Sequence, residues 1–210
     1  QTIMGFFVPM WAFFHKLGSP RWFYEISGKW LPWLSLLALG CLILGAVWGL
    51  AFAPPDFKQG NSYRIIFIHV PAAAVSMACY MVMAFAAAIH LIWKMKLADI
   101  GIQAMAQVGL GFTVLALVSG AIWGKPTWGT YWVWDARLTS TLILFFLFAG
   151  VLALRNAAGQ SQTAGRAASV LAVIGLLNLP IIKYSVDWWF TLHQPASFTL
   201  TDRPAMPFSM

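Results

Sequence analysis

Charge is scarce in this sequence. Only 9% of its 210 residues are charged, against about 25% in a typical soluble domain, so water cannot be the solvent for most of the chain. Cysteine is nearly absent as well: Cys41 and Cys79 stand alone inside apolar stretches, which leaves no C-x-x-C pair, no zinc-ligand spacing and no C-x-x-C-H attachment motif. The formal charge of +7 is carried by single Lys and Arg residues between apolar segments, and without a basic run nucleic acid is not an expected partner. There is no G-x-x-x-x-G-K-[ST] loop and no H-E-x-x-H pair. Any ATP hydrolysis would therefore belong to another chain, and no acid–base or nucleophilic constellation suggests an enzyme. The first 32 residues are aromatic and mixed in charge, without a short apolar core followed by a small-residue cleavage pattern, so no signal peptide is expected there. Nor is there an internal repeat of the kind that marks many transporters.

What the sequence has in abundance is apolar length: 60% of it is hydrophobic. A membrane helix needs roughly 20 mostly apolar residues to cross a hydrocarbon core about 30 Å thick. Five segments meet or approach that length, near Leu31–Ala53, Ile65–Trp93, Ile102–Trp123, Leu138–Leu154 and Ala167–Tyr184. The expected fold is an all-α polytopic transmembrane bundle. Residues 1–30 form a segment on the membrane surface, residues 31–184 the bundle with a Trp-rich loop at 123–137, and residues 185–210 a tail. Lys and Arg near the span ends divide almost evenly between the two sides and favour a cytoplasmic N-terminus only slightly. The connections assigned to the cytoplasm, around Lys94–Gly101 and Arg155–Gly165, are short and polar. Those on the outer side are richer in aromatics and ligand-like side chains.

The loop between the third and fourth spans carries Trp123, Trp128, Tyr131, Trp132 and Trp134 within twelve residues, broken by Gly124, Pro126 and Gly129. Single Trp residues such as Trp33, Trp48 and Trp93 are ordinary members of an interfacial aromatic belt. Four in one loop are not well explained that way. Broad indole faces beside small residues make a flat apolar platform with N–H donors at its edge, suited to a large planar ligand or to a partner protein.

Two histidines fall on the same side as this loop. His69 lies about one turn inside the outer end of the second span, while His90, 21 residues on, is displaced by about 30 Å to the opposite surface, where His15 also belongs. His193 sits in the tail after the fifth span and returns to the outer face. A lone His near a helix end is ordinarily a satisfied interfacial group, but two meeting at an aromatic platform point to a site, since ionisable groups within spans are rare and default to function. Imidazole is a common axial ligand of haem iron, and two can bind from opposite faces. Haem propionates would then favour nearby cations, for which Arg64, Lys125 and Arg137 are candidates; interfacial anchoring, or an Asp135–Arg137 contact fixing the loop, is the plainer role for these charges.

The stretch WGKPTWGTYWVWDARLTS (Trp123–Ser140) closely resembles the signature of the tryptophan-rich haem-handling membrane protein family. The blocks RIIFIHVPAA (Arg64–Ala73), NLPIIKYSVDWW (Asn178–Trp189) and TLHQPAS (Thr191–Ser197) resemble, in the same order, those of one branch of it. The resemblance covers nearly the whole chain from about Trp22. It implies a bacterial inner-membrane protein that holds haem b transiently and without a covalent bond at the periplasmic face. His69 and His193 match the family's axial ligands, and Trp123–Asp135 its haem-contacting loop, which adds Asp135 to the platform. It further implies delivery of haem to a membrane-anchored haem chaperone, alongside an ABC-type ATPase, its membrane subunit and a small single-span protein. The family usually has six spans where five are legible here, and the aromatics Phe6 to Phe14 have no clear counterpart. Two alternatives remain: a permease carrying haem across the bilayer, and a scaffold whose Trp loop docks a protein without a cofactor.

Overall fold

The computed structural model describes residues 16, 18–157 and 161–193. Residues 1–15 of the expected surface segment, and residues 194–210 of the tail, lie outside the described residues. The chain folds as α1 (Pro20–Val47), α2 (Ile66–Trp93), α3 (Lys96–Trp128), α4 (Ala136–Ala157), α5 (Gln162–Gly175) and α6 (Asn178–Trp188). A π-helical turn, Trp48–Phe52, continues α1, and a 3₁₀ turn, Asn61–Ile65, leads into α2. With α5 and α6 taken as one crossing, five helical segments among the described residues are long and apolar enough to span a membrane. The protein is an all-α polytopic bundle, as the apolar runs lead one to expect.

Several boundaries differ from those expected, each for a local reason. The first helix begins at Pro20 rather than Leu31, because proline at N1 costs no hydrogen bond and presets the helical φ. Arg21 and Glu25 then pair one turn apart at 3.0 Å. Mixed charge in residues 20–30 thus decorates a helix continuous with the span. The third helix runs 33 residues, about 50 Å, and absorbs Trp123–Trp128, the first half of the expected loop. Pro126 is tolerated in its last turn, and Gly129, at φ 81°, ends it in the left-handed conformation that glycine adopts without strain. The last crossing is broken at Leu176–Leu177. Pro180 cannot donate to the carbonyl of Leu176 and its ring would clash with it, so the helix restarts rather than continues.

The core forms where α2, α3, α4 and α5 meet, around Tyr80, Met83, Ile102, Leu144, Phe148 and Ala168. Tyr80 meets Phe148 edge-on at 5.0 Å. The end of the bundle near His90 is fastened by a partly buried ion pair, Arg155 Nη2 to Asp99 Oδ2 at 2.7 Å, with Arg155 only 5% exposed. The first helix stands apart from this core, with no buried residue of its own. It is tied to α2 at its end by Arg64, which donates to the carbonyls of Leu50 and Ala53 at 3.0 and 2.7 Å.

Candidate functional site

His69 lies in the first turn of α2, facing α3. Its Nδ1 donates to the carbonyl of Ala116 at 3.0 Å and stands 3.1 Å from Ser119 Oγ, whose own proton goes to the Leu115 carbonyl at 2.6 Å. With the proton on Nδ1, the lone pair of a neutral ring is on Nε2, the nitrogen available to an electrophile. The ring fits because Gly120 has no side chain: a Cβ there would come within 2.8 Å of His69 Cε1. Trp123 closes one side, edge-to-face at 5.8 Å. Its own Nε1 is fixed by donation to Gln59 Oε1 at 2.7 Å.

His193 reaches the same place from beyond α6. Its ring centre is 6.3 Å from that of His69, with the planes tilted by 36°, and 5.9 Å from that of Trp128. Its backbone N–H donates to Thr191 Oγ1 at 3.0 Å, and the Thr191 hydroxyl donates in turn to Asp135 Oδ2. Arg137 Nη1 donates to the ring at Nδ1, at 3.2 Å. The same guanidinium reaches the Lys183 carbonyl at 3.2 Å and Ser185 Oγ at 3.4 Å, so the first turn of α4 holds both α6 and the segment after it.

Around these rings is a cavity of about 540 Å³, within the size range of small-molecule and cofactor sites, roughly 300–1,000 Å³. His69, His193, Trp123, Trp128, Trp132 and Arg137 line it at one end, and Phe67, Pro71 and Met77 continue it as an apolar wall along α2. Trp132 Nε1 is buried with no hydrogen-bond partner among the described residues, an unmet donor on a residue of the lining.

Other residues singled out from the sequence are placed differently. Trp134 is 77% exposed and packs on the outside of Trp132 at 5.4 Å. Tyr131 is 59% exposed, beneath Lys125 Nζ. Lys125 also donates to the Gly129 carbonyl at 3.0 Å, which makes it a fixing residue for the turn. Arg64 is committed to the α1 end. Asp135 is not part of a flat platform: one carboxylate oxygen caps α4 by accepting from Leu138 N–H at 2.8 Å, and the other anchors Thr191. Arg137 alone of the three cations faces the cavity. Ser119, Gly120, Gln59 and Thr191 were not legible as site residues, because each acts through a contact between segments far apart in sequence. Thr191, two residues before His193, carried the only local hint, that of a hydroxyl turn.

Residues 13–210 match the family model described as Heme exporter protein C. The sequence is 55% identical over 185 residues to heme exporter protein C of Escherichia coli K12, covering 88% of this chain and 76% of that protein. It is 50% identical over 201 residues to the protein of the same name from Haemophilus influenzae, covering 96% and 82%. Over 147 residues it is 49% identical to a mitochondrial protein of Marchantia polymorpha whose name ties it to cytochrome c biosynthesis, covering 70% of this chain and 62% of that one.

Proposed function

The chain belongs to the heme exporter protein C family, and on that premise we propose that it is a haem-handling component of c-type cytochrome biogenesis, with His69 and His193 gripping haem iron as a substrate to be passed on. The observation that carries this reading is the pair of imidazoles across a cavity walled by indole rings. Two imidazoles bonded to one metal ion stand with ring centres roughly 6 Å apart, from two bonds of about 2 Å and about 1 Å from each nitrogen to its ring centre; the separation here is 6.3 Å. The lining suits the rest of a porphyrin. Trp123 and Trp128 offer apolar faces, the α2 wall accepts an apolar edge, and Arg137 with the unmet Trp132 N–H supplies donors for carboxylates.

In this reading the site faces the periplasm from the bacterial inner membrane. A membrane-anchored haem chaperone docks over the exposed aromatics Tyr131 and Trp134 and takes the haem. An ABC-type ATPase, with its membrane subunit and a small single-span protein, provides the hydrolysis for which this chain has no loop. Apart from the coordination of iron by the two imidazoles, the chain makes and breaks no bond to haem; it holds, orients and lets go. A permease would need polar groups or broken backbone lining a path through the membrane. The break between α5 and α6 is instead packed, with Asn178 Nδ2 donating to the Ser140 carbonyl at 2.8 Å and Tyr80 fully buried.

Delivery is tested by purifying the chaperone from cells carrying either the wild-type chain or the double variant His69→Ala/His193→Ala. Haem is expected on the chaperone in the first case and at most a trace in the second. Equal loading in both would favour a scaffold that docks protein and binds no haem.

A further inference from the structure

The two histidines are held in unlike ways. His69 is on an unbroken helix, its ring seated against Gly120 and fixed through Nδ1 by Ala116 and Ser119 of the neighbouring helix. Its tautomer already presents a lone pair at Nε2. His193 lies past the end of α6, on the far side of the Leu176–Leu177 break, and its backbone is tied to the bundle through the Thr191 side chain to Asp135. Its Nδ1 accepts from Arg137, so in a neutral ring the proton sits on Nε2. To offer Nε2 to a metal, this ring has to exchange the Arg137 contact for a proton on Nδ1.

From these contrasts, and resting on the proposed haem site, we infer that His193 is the exchangeable ligand, that His69 is the fixed one, and that the Asp135–Thr191 bond is the strap that positions His193 for iron. Thr191 and Asp135 are positioning residues in this scheme. Arg137 is the alternative partner of His193: a haem carboxylate that engages the guanidinium frees the ring from it, and loss of that carboxylate contact returns it. Release then begins on the His193 side, with one iron–nitrogen bond broken and the electron pair retained by the imidazole. Haem remains on His69 with one face open to an incoming ligand.

The test compares Thr191→Val, which keeps the shape and removes the hydroxyl, with Thr191→Ser, which keeps the hydroxyl, both in the assembled complex. Coordination is read from the visible and electron paramagnetic resonance spectra, and haem loss from transfer to excess apomyoglobin. We expect wild type and Thr191→Ser to be six-coordinate and low-spin. Thr191→Val should shift to a five-coordinate, high-spin spectrum and lose haem about ten- to a hundred-fold faster, the scale of one charge-assisted hydrogen bond. Added imidazole should restore its low-spin spectrum by filling the vacated position. A Thr191→Val protein that stays six-coordinate with wild-type loss, or one that loses haem completely and is not restored by imidazole, overturns the assignment of His193 as exchangeable. A wild type that binds no haem instead sinks the haem site itself.

Discussion

Replacing Gly120 with Ala tests the seat of His69 with a single methyl group. The added Cβ would lie 2.8 Å from His69 Cε1 and 3.3 Å from Nδ1, whereas carbon atoms rest at about 3.5–4.0 Å. The ring must therefore withdraw by roughly 0.7–1.2 Å, which stretches Nδ1 from 3.0 Å and 3.1 Å to its two acceptors towards about 4 Å, beyond hydrogen-bonding range. Nδ1 carries one proton, shared between the two acceptors, so losing that anchorage costs about 0.5–1.5 kcal/mol, the scale of one neutral bond. At about 1.4 kcal/mol per factor of ten, haem affinity should fall about two- to twelve-fold. Gly111→Ala, on the same helix, meets nothing within 4 Å and serves as the control. Haem titration followed at the Soret band measures both. Wild-type affinity in Gly120→Ala, or an equal loss in Gly111→Ala, would refute the reasoning.

Further outcomes follow from the packing. Tyr80 carries a buried hydroxyl with no hydrogen-bond partner among the described residues, so Tyr80→Phe should leave thermal stability unchanged or raise it by about 1 kcal/mol. Gly175→Ala brings a Cβ against that same hydroxyl; its destabilisation should be partly relieved when Tyr80→Phe is combined with it, and additive melting shifts would contradict the contact. Arg155→Met leaves the partly buried Asp99 without its closest cation, with His90 Nε2 at 3.9 Å as the remaining neighbour, and should cost up to about 3 kcal/mol, while Arg155→Met with Asp99→Leu should recover much of that. Denaturation in detergent of the two single variants and the double variant checks the coupling.

The spans were legible because a membrane demands long apolar runs whatever the fold. The meeting of His69 and His193 was legible for a related reason: 30 Å of membrane sorts residues onto two sides, and counting along helices decides which. The helical state of Trp123–Trp128 was obscured by Gly124 and Pro126, two residues that usually interrupt helices but are harmless in a final turn closed by Gly129. Asp135 illustrates the deeper limit. Its place beside the tryptophans suggested a ligand surface, whereas its carboxylate caps α4 and holds Thr191, 56 residues away. Likewise Arg64 was grouped with Arg137 by sign and side, yet the two guanidinium groups do unlike work. Hydropathy fixes depth in the membrane, not rotation about each helix axis, and rotation is what sets Gly120 opposite His69.

The most direct measurement is the visible absorption spectrum of the detergent-purified wild-type complex supplied with haem, beside His69→Ala and His193→Ala in the same complex. Two axial imidazoles predict a Soret band with six-coordinate low-spin features in the wild type that weakens or shifts in each variant. A wild type that stays colourless, or variants whose spectra match it, would contradict the account.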